Sequence, residues 1–331
     1  MDNSKIDLSL MLNSTDKINP NFVYFTQTGN VNAVLLLNKN PILFVSSLET
    51  SIAKENSKIR IIKILDKNFF DSIKKFKPRV IGIDKNYITL SQFRNLKKNI
   101  KKVKFKDISQ EIAKLRAIKT EDEISLIKKS CNYADLVMQE AISFAKKAKT
   151  ELNLKKYIEK KILDLGLETS FVTIVASSKN SRNPHHLSNS TKLKGFTVID
   201  LGVRYKNYCS DISRTIYIGK PNEKEIMDYN KVLKVQEECI NKNLSPLKLN
   251  DYSKQKLSNY LTHSLGHGIG LEVHENPRIS SMSKDKFEDN MVFTIEPGYY
   301  NRYGIRIEDV FLYKNNKKIS LTKSPKTFLK L

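Results

Sequence analysis

The chain has 331 residues, 40% of them hydrophobic and 28% charged, with 58 Lys and Arg against 35 Asp and Glu for a formal net charge of +23. That length exceeds what one core usually organises and sets a prior of about two domains, while no run of about 18 apolar residues reads as a membrane span and no amino-terminal apolar stretch as a signal peptide. Cys131, Cys209 and Cys239 are odd in number and unpaired in spacing, which excludes a disulfide framework and gives the expectation of a soluble protein in a reducing cytoplasm.

Positive charge on this scale raises nucleic acid or an acidic membrane as a partner. Most of it is lysine spread among Asn and Ile, and clusters such as Lys97-Lys98-Asn99-Ile100-Lys101-Lys102 fit solvated faces, so neither a specific nucleic acid nor a membrane partner is expected.

In the first third of the chain, Val31–Leu37, Pro41–Val45 and Val80–Asp84 are short apolar runs between polar helical stretches, the pattern of an α/β layer around a central sheet. The expected domains are residues 1–112 and 113–331. Thr120 followed by Glu123 forms a capping box, and Ile124, Ile127, Cys131, Ala134, Met138, Ala141 and Ala145 continue at helical spacing, which predicts a long helix at the head of the second domain. A second helix is predicted from Glu151 to Leu165 with its stop at Gly166, then a strand over Phe171–Ala176.

Thr197–Val203 and Tyr208–Ile218 carry the β-branched and aromatic enrichment of strands and form a predicted hairpin. With a loop at Arg204–Asn207, Asp200 falls opposite Asp211, where like charges are destabilising and need either a shared proton or a bound divalent ion. A third helical segment, Glu223–Ile240, follows. His263–Pro277 holds His267 between Gly266 and Gly268, a setting that allows unusual torsions and close backbone approach. Phe293–Gly298 ends in a Pro-Gly turn and Gly304–Val310 returns, giving a second hairpin with acids Glu296 and Glu308. The second acid pair and the histidine favour the ion over the shared proton.

The strings Tyr208-Cys209-Ser210-Asp211-Ile212-Ser213-Arg214-Thr215, Gly266-His267-Gly268-Ile269-Gly270 with His274-Glu275-Asn276-Pro277, Ile295-Glu296-Pro297-Gly298-Tyr299-Tyr300 and Gly304-Ile305-Arg306-Ile307-Glu308-Asp309 come in this order. Together with the segment Ser177–His185 and the stretch Leu115–Ile124, they resemble the pita-bread metallopeptidases. Within that family the chain is most similar to the Xaa-Pro dipeptidase (prolidase) and Xaa-Pro aminopeptidase branch.

The resemblance implies an α/β amino-terminal domain plus an α+β pita-bread (creatinase/aminopeptidase-like) catalytic domain, holding two divalent metal ions, Mn, Co or Zn, on Asp200, Asp211, His267, Glu296 and Glu308. It implies Glu296 as proton shuttle, His185 and His274 beside the substrate carbonyl, and His263 and Arg306 at positions that orient a ligand carboxylate or meet a peptide end. The implied activity is hydrolysis of Xaa-Pro bonds in dipeptides or short peptides by a homodimer. A methionine aminopeptidase-like activity, a creatinase-like amidinohydrolase and a metal-free peptide- or protein-binding module are the alternatives on the same fold.

Single histidines are more often packed or surface residues than ligands, yet four of the five here fall in the matched motifs. His186 is read as incidental, and Asp309 and Glu275, next to matched residues, as solvated or capping. The chain departs from the family pattern at Phe196, at Asn207, and in the short stretch Cys239–Thr262.

Overall fold

The structure is a computed structural model, and it describes residues 5–331. The chain divides into two compact units, Met1–Leu115 and Arg116–Leu331. Among the described residues no helix is long and apolar enough to cross a membrane.

The first unit is a six-stranded sheet in the order Ile61–Ile64, Ile42–Val45, Ala33–Leu37, Leu8–Asn13, Val80–Ile83, Lys104–Asp107. Ala33–Leu37 runs antiparallel to both neighbours, and the remaining pairings are parallel. The three apolar runs predicted as strands are strands, buried because apolar clusters cover both faces of the sheet.

In the second unit, Thr120 accepts from the Glu123 amide while Glu123 accepts from the Thr120 amide, and the helix so capped runs Glu121–Ala145. It packs with the helix Glu151–Asp164 against the hairpin of Gly195–Leu201 and Ile212–Ile218, through Ala134, Met138, Ile158, Ile199 and Ile212. Helices Glu223–Asn241 and Pro246–Leu257 back the second hairpin in the same way, through Val235, Cys239, Leu249, Phe293 and Ile307. Each acid-bearing ribbon therefore has its own helix pair. The strand predicted over Phe171–Ala176 is Ile174–Ser177 instead, with a short separate strand at Glu168–Thr169.

The first hairpin differs from expectation in register. Its turn is Lys206-Asn207, both left-handed at φ 46° and 72°, so Tyr205 faces Tyr208 and Asp200 faces Ser213 rather than Asp211. A two-residue turn in place of a four-residue loop slides the pairing by two residues. Because side chains alternate with period two, Asp211 stays on the face of Asp200 as its diagonal neighbour.

The capping box gives a direct check on the head of the catalytic unit. Thr120→Ala is expected to lower unfolding stability by about 1 kcal/mol without changing the denaturant slope, measured by urea melts of both proteins.

Candidate metal centre

The first ribbon breaks at Asp211, with Asp200 still in the ladder, and the second breaks at both its acids. In the second, Val292–Ile295 pairs with Asp309–Lys314 and Gly298–Tyr300 with Gly304–Arg306, leaving Glu296 and Glu308 between the two ladders. Their amides turn elsewhere: Glu296 N–H donates to the Leu265 carbonyl at 2.8 Å and Glu308 N–H to the Ser213 carbonyl at 3.1 Å. The second bond ties this ribbon to the first beside Asp200, and the first ties it to the segment carrying His267.

His267 lies on the short strand Gly266–Gly268. A Cβ at Gly266 would stand 2.1 Å from the Thr294 carbonyl oxygen and one at Gly268 2.0 Å from that of Asn276. Close approach is thus what these glycines serve. Neither has a positive φ, so the unusual torsions expected from the sequence do not occur.

Asp211, His267 and Glu308 each offer a ligand atom within 4.8 Å of the others. His267 Nε2 stands 3.7 Å from Asp211 Oδ2 and 3.5 Å from Glu296 Oε1, while Nδ1 donates to the Gly268 carbonyl at 3.1 Å. Burial, then the neighbouring His274 ring, pushes the His267 pKa down to about 3, so its Nε2 lone pair is free to face the carboxylates. Asp200 accepts from Arg306 Nη2 at 2.5 Å. The same guanidinium donates through Nε to Ser213 Oγ at 2.9 Å, and Ser213 Oγ donates to Glu308 at 2.8 Å.

One guanidinium faces four carboxylates, and the electrostatics show the shortfall. Burial, then the charges of Glu308 and Asp200, pushes Asp211 well above the usual carboxylate range. Burial and Glu308 do the same to Glu296, and burial and Asp200 raise Glu308 to about 7. Asp200 Oδ1 and Asp211 Oδ1 are buried without a hydrogen-bond partner. Orphaned carboxylate oxygens, a neutral imidazole and missing positive charge are what a divalent-cation site presents, so the residues fit a metal.

His274 packs edge-on to His267 with ring centroids 4.3 Å apart, and burial followed by the charge of His185 lowers its pKa. Both His185 and His274 are exposed, on the open side of the cluster. His263 Nε2 hydrogen-bonds the Tyr300 hydroxyl at 2.9 Å, and burial lowers its pKa to about 4. Arg306 spends its remaining donors on Tyr300 at 3.3 Å and the Pro184 carbonyl at 3.4 Å, so it orients Asp200 and Ser213.

Three residues were read too blandly from sequence. Asp309 is buried and paired with Arg214 at 2.6 Å, with Thr322 and Gln236 as further donors, rather than solvated. Glu275 is also buried; it pairs with Arg116 and, at 3.2 Å, with Lys119. His186 is bonded to Glu151 at 2.8 Å. Sequence reasoning gave Ser213 and Tyr300 no role although both stand in quoted motifs. A hydroxyl on the same strand face as the acids was the available signal for Ser213.

Residues 125–315 match the sequence profile of metallopeptidase family M24, and residues 1–118 that of the creatinase/prolidase N-terminal domain. The Xaa-Pro dipeptidase of Pyrococcus furiosus is 34% identical, over 93% of this chain and 92% of the dipeptidase. Among solved structures, the X-Pro aminopeptidase of Thermotoga maritima superposes with a TM-score of 0.91 at 30% identity, covering 98% of both chains. The prolidase of Pyrococcus horikoshii superposes with a TM-score of 0.88 at 32% identity, covering 97% of this chain and 94% of that one. The fold is therefore the one the motifs implied: a creatinase-like amino-terminal domain and a pita-bread catalytic domain.

The charge imbalance has a measurable consequence. Asp211→Asn is expected to raise the melting temperature of chelator-treated protein by roughly 2–4 °C and to abolish the stabilisation that added Mn gives the parent. Calorimetry with and without chelator reads both; an unchanged chelated melt would mean the carboxylates do not repel one another.

Proposed function

Because the chain belongs to metallopeptidase family M24, we propose that it is a metal-dependent exopeptidase hydrolysing Xaa-Pro bonds in dipeptides or short peptides. The observation that carries this is the convergence of Asp211, His267 and Glu308 within 4.8 Å, in a chain 34% identical to an Xaa-Pro dipeptidase.

In this reading Asp200, Asp211, His267, Glu296 and Glu308 would hold two divalent ions. Such ions, when bound, supply a water of lowered pKa and polarise the scissile carbonyl. Mn, Co and Zn all suit oxygen ligands with one imidazole. Residues 1–112 serve as the small amino-terminal domain and 113–331 as the catalytic domain.

Glu296 takes a proton from the attacking water and passes it to the proline nitrogen as the amide bond breaks, which releases proline as an amine and Xaa as a carboxylate. His185 and His274 stand at the rim of the cluster, where their N–H groups steady the carbonyl oxygen as charge grows on it. Tyr300 fixes His263, and Arg306 holds Asp200 against the repulsion of Asp211.

Proline's tertiary amide has no N–H and fits poorly into peptidase sites that bind by backbone pairing. The substrate is accordingly a short proline-containing peptide, and a homodimer in the cytoplasm is part of the same reading. Metal-free binding is less favoured because all five ligand residues are present, and methionine aminopeptidase-like turnover because the relatives above carry Xaa-Pro names.

Purified protein reconstituted with Mn or Co is expected to cleave Ala-Pro and to leave Met-Ala-Ser intact, read by amino-acid release. Glu296→Gln is expected to remove turnover; near-normal rates in that variant would dismiss it as the shuttle. His185→Ala is expected to lower kcat while metal stoichiometry stays at the parent value, and loss of metal would show that His185 is misplaced here.

A further inference from the structure

We propose that Glu151, at the head of the helix Glu151–Asp164, is a positioning residue that sets His185 in the active site by anchoring the loop 177–191. The proposal rests on the reading of His185 given above. No motif carries Glu151, and it lies 34 residues upstream of His185.

The loop leaves the strand Ile174–Ser177, makes a 3-10 turn over Ser178–Arg182, and returns at Gly195. Along it, Arg182, Asn183, His185, Leu187, Asn189 and Ser190 are exposed, so apolar packing does little to fix its shape. Among the described residues the His185 ring makes no hydrogen bond. No side-chain hydrogen bond holds it, so its backbone carries its placement.

What fixes that backbone is a fully buried carboxylate. Glu151 Oε1 accepts from the Ser177 amide at 2.7 Å and from Asn180 Nδ2 at 3.0 Å; Oε2 accepts from His186 Nε2 at 2.8 Å and from the Asn189 amide at 3.1 Å. Both oxygens are saturated, and their donors bracket His185 on either side. Backbone bonds from the Glu151 amide to Thr191 and from the Leu152 amide to Asn189 close the far end. Toward the site, the loop is held by Gly304 N–H donating to Ser181 Oγ at 2.8 Å and by Arg306 donating to the Pro184 carbonyl at 3.4 Å. His185 thus hangs between a carboxylate hub and the second acid ribbon.

His186 gains a role from this arrangement. It is the donor nearest His185 in sequence, so the pair His185-His186 splits into one residue that faces the substrate and one that moors it.

Glu151→Gln keeps the shape but presents an amide NH2 to two of four donors. Displacement of a positioned group by about 1 Å costs on the order of 100-fold, and we expect kcat/KM on Ala-Pro to fall about 10- to 100-fold through kcat, with metal stoichiometry unchanged. Amide hydrogen exchange at Ser177 and Asn189 is expected to quicken. The decisive measurement is a double-mutant cycle: in the His185→Ala background, Glu151→Gln is expected to change kcat/KM by less than about 2-fold.

Equal fold losses in the two backgrounds would overturn the proposal while leaving His185 its role, and so would parent-like kcat/KM in Glu151→Gln. A His185→Ala single variant with parent-like turnover would instead remove the reading of His185, and the proposal with it. Should Glu151→Gln not fold, His186→Ala, which removes one donor from the hub, runs through the same cycle with an expected loss of about 3- to 10-fold and the same criteria.

Discussion

Four acidic side chains, three of them buried and Glu296 half-buried, around a single guanidinium are the constraint on which the catalytic unit depends. Left to themselves they repel, and the repulsion is visible in the raised affinities of Asp211, Glu296 and Glu308 for protons. A fold can hold such a cluster only if its acids are fixed by something stiffer than their own preferences. Here that is done by hydrogen-bonded ribbon, each ribbon backed by a pair of helices, so that the cost of bringing like charges together is spread over two apolar cores. A divalent cation held among these residues would offset that repulsion.

Behind the cluster, buried polar groups extend the same logic. Arg214 donates to the Glu308 and Ser213 carbonyls and pairs with Asp309, so one guanidinium clamps the backbone of both ribbons just behind two of the acids. Asp309 is in turn bonded by Gln236 from the helix Glu223–Asn241 and by Thr322. A charge pair this deep contributes little net stability over an apolar pair of similar volume, but removing one partner would leave the other uncompensated. Its contribution is geometric: it fixes the separation of the ribbons, hence of the acids they carry.

Much of this was legible in the residues, and the failures have physical causes. The capping box at Thr120 and the left-handed Asn207 in the first turn follow from local chemistry, which sequence carries well. The pairing of Asp200 with Asp211 failed because register depends on whether a turn uses two residues or four, and only the left-handed torsions of Lys206 and Asn207 decide that. Asp309 and Glu275 were read as solvated or capping, Asp309 because strand alternation turns it away from the face of Glu308, an argument that assumes one wet face. Here helices cover that face, so alternation leads from a site into a second buried network. The helix Pro246–Leu257 went unread although Ser245 and Pro246 announce its start, since Asn250 and Ser253 occupy its buried side and erase the apolar period. The edge strands Ile61–Ile64 and Lys104–Asp107 were hidden by exposure and lysine, as edge strands often are.

The breaks in the two ribbons explain why the site forms where it does. A continuous antiparallel ladder would satisfy every backbone amide within the ribbon and leave nothing to join one ribbon to the next. By interrupting the pairing at Glu296 and Glu308, the chain frees two amides, and these bond to Leu265 and Ser213, the first beside the His267 strand and the second opposite Asp200. Three stretches of sheet are thereby stitched together at one point, with the acid side chains on the inside of the seam. The same interruption that costs the ribbon ladder bonds thus brings acids and an imidazole from distant parts of the sequence to a common centre.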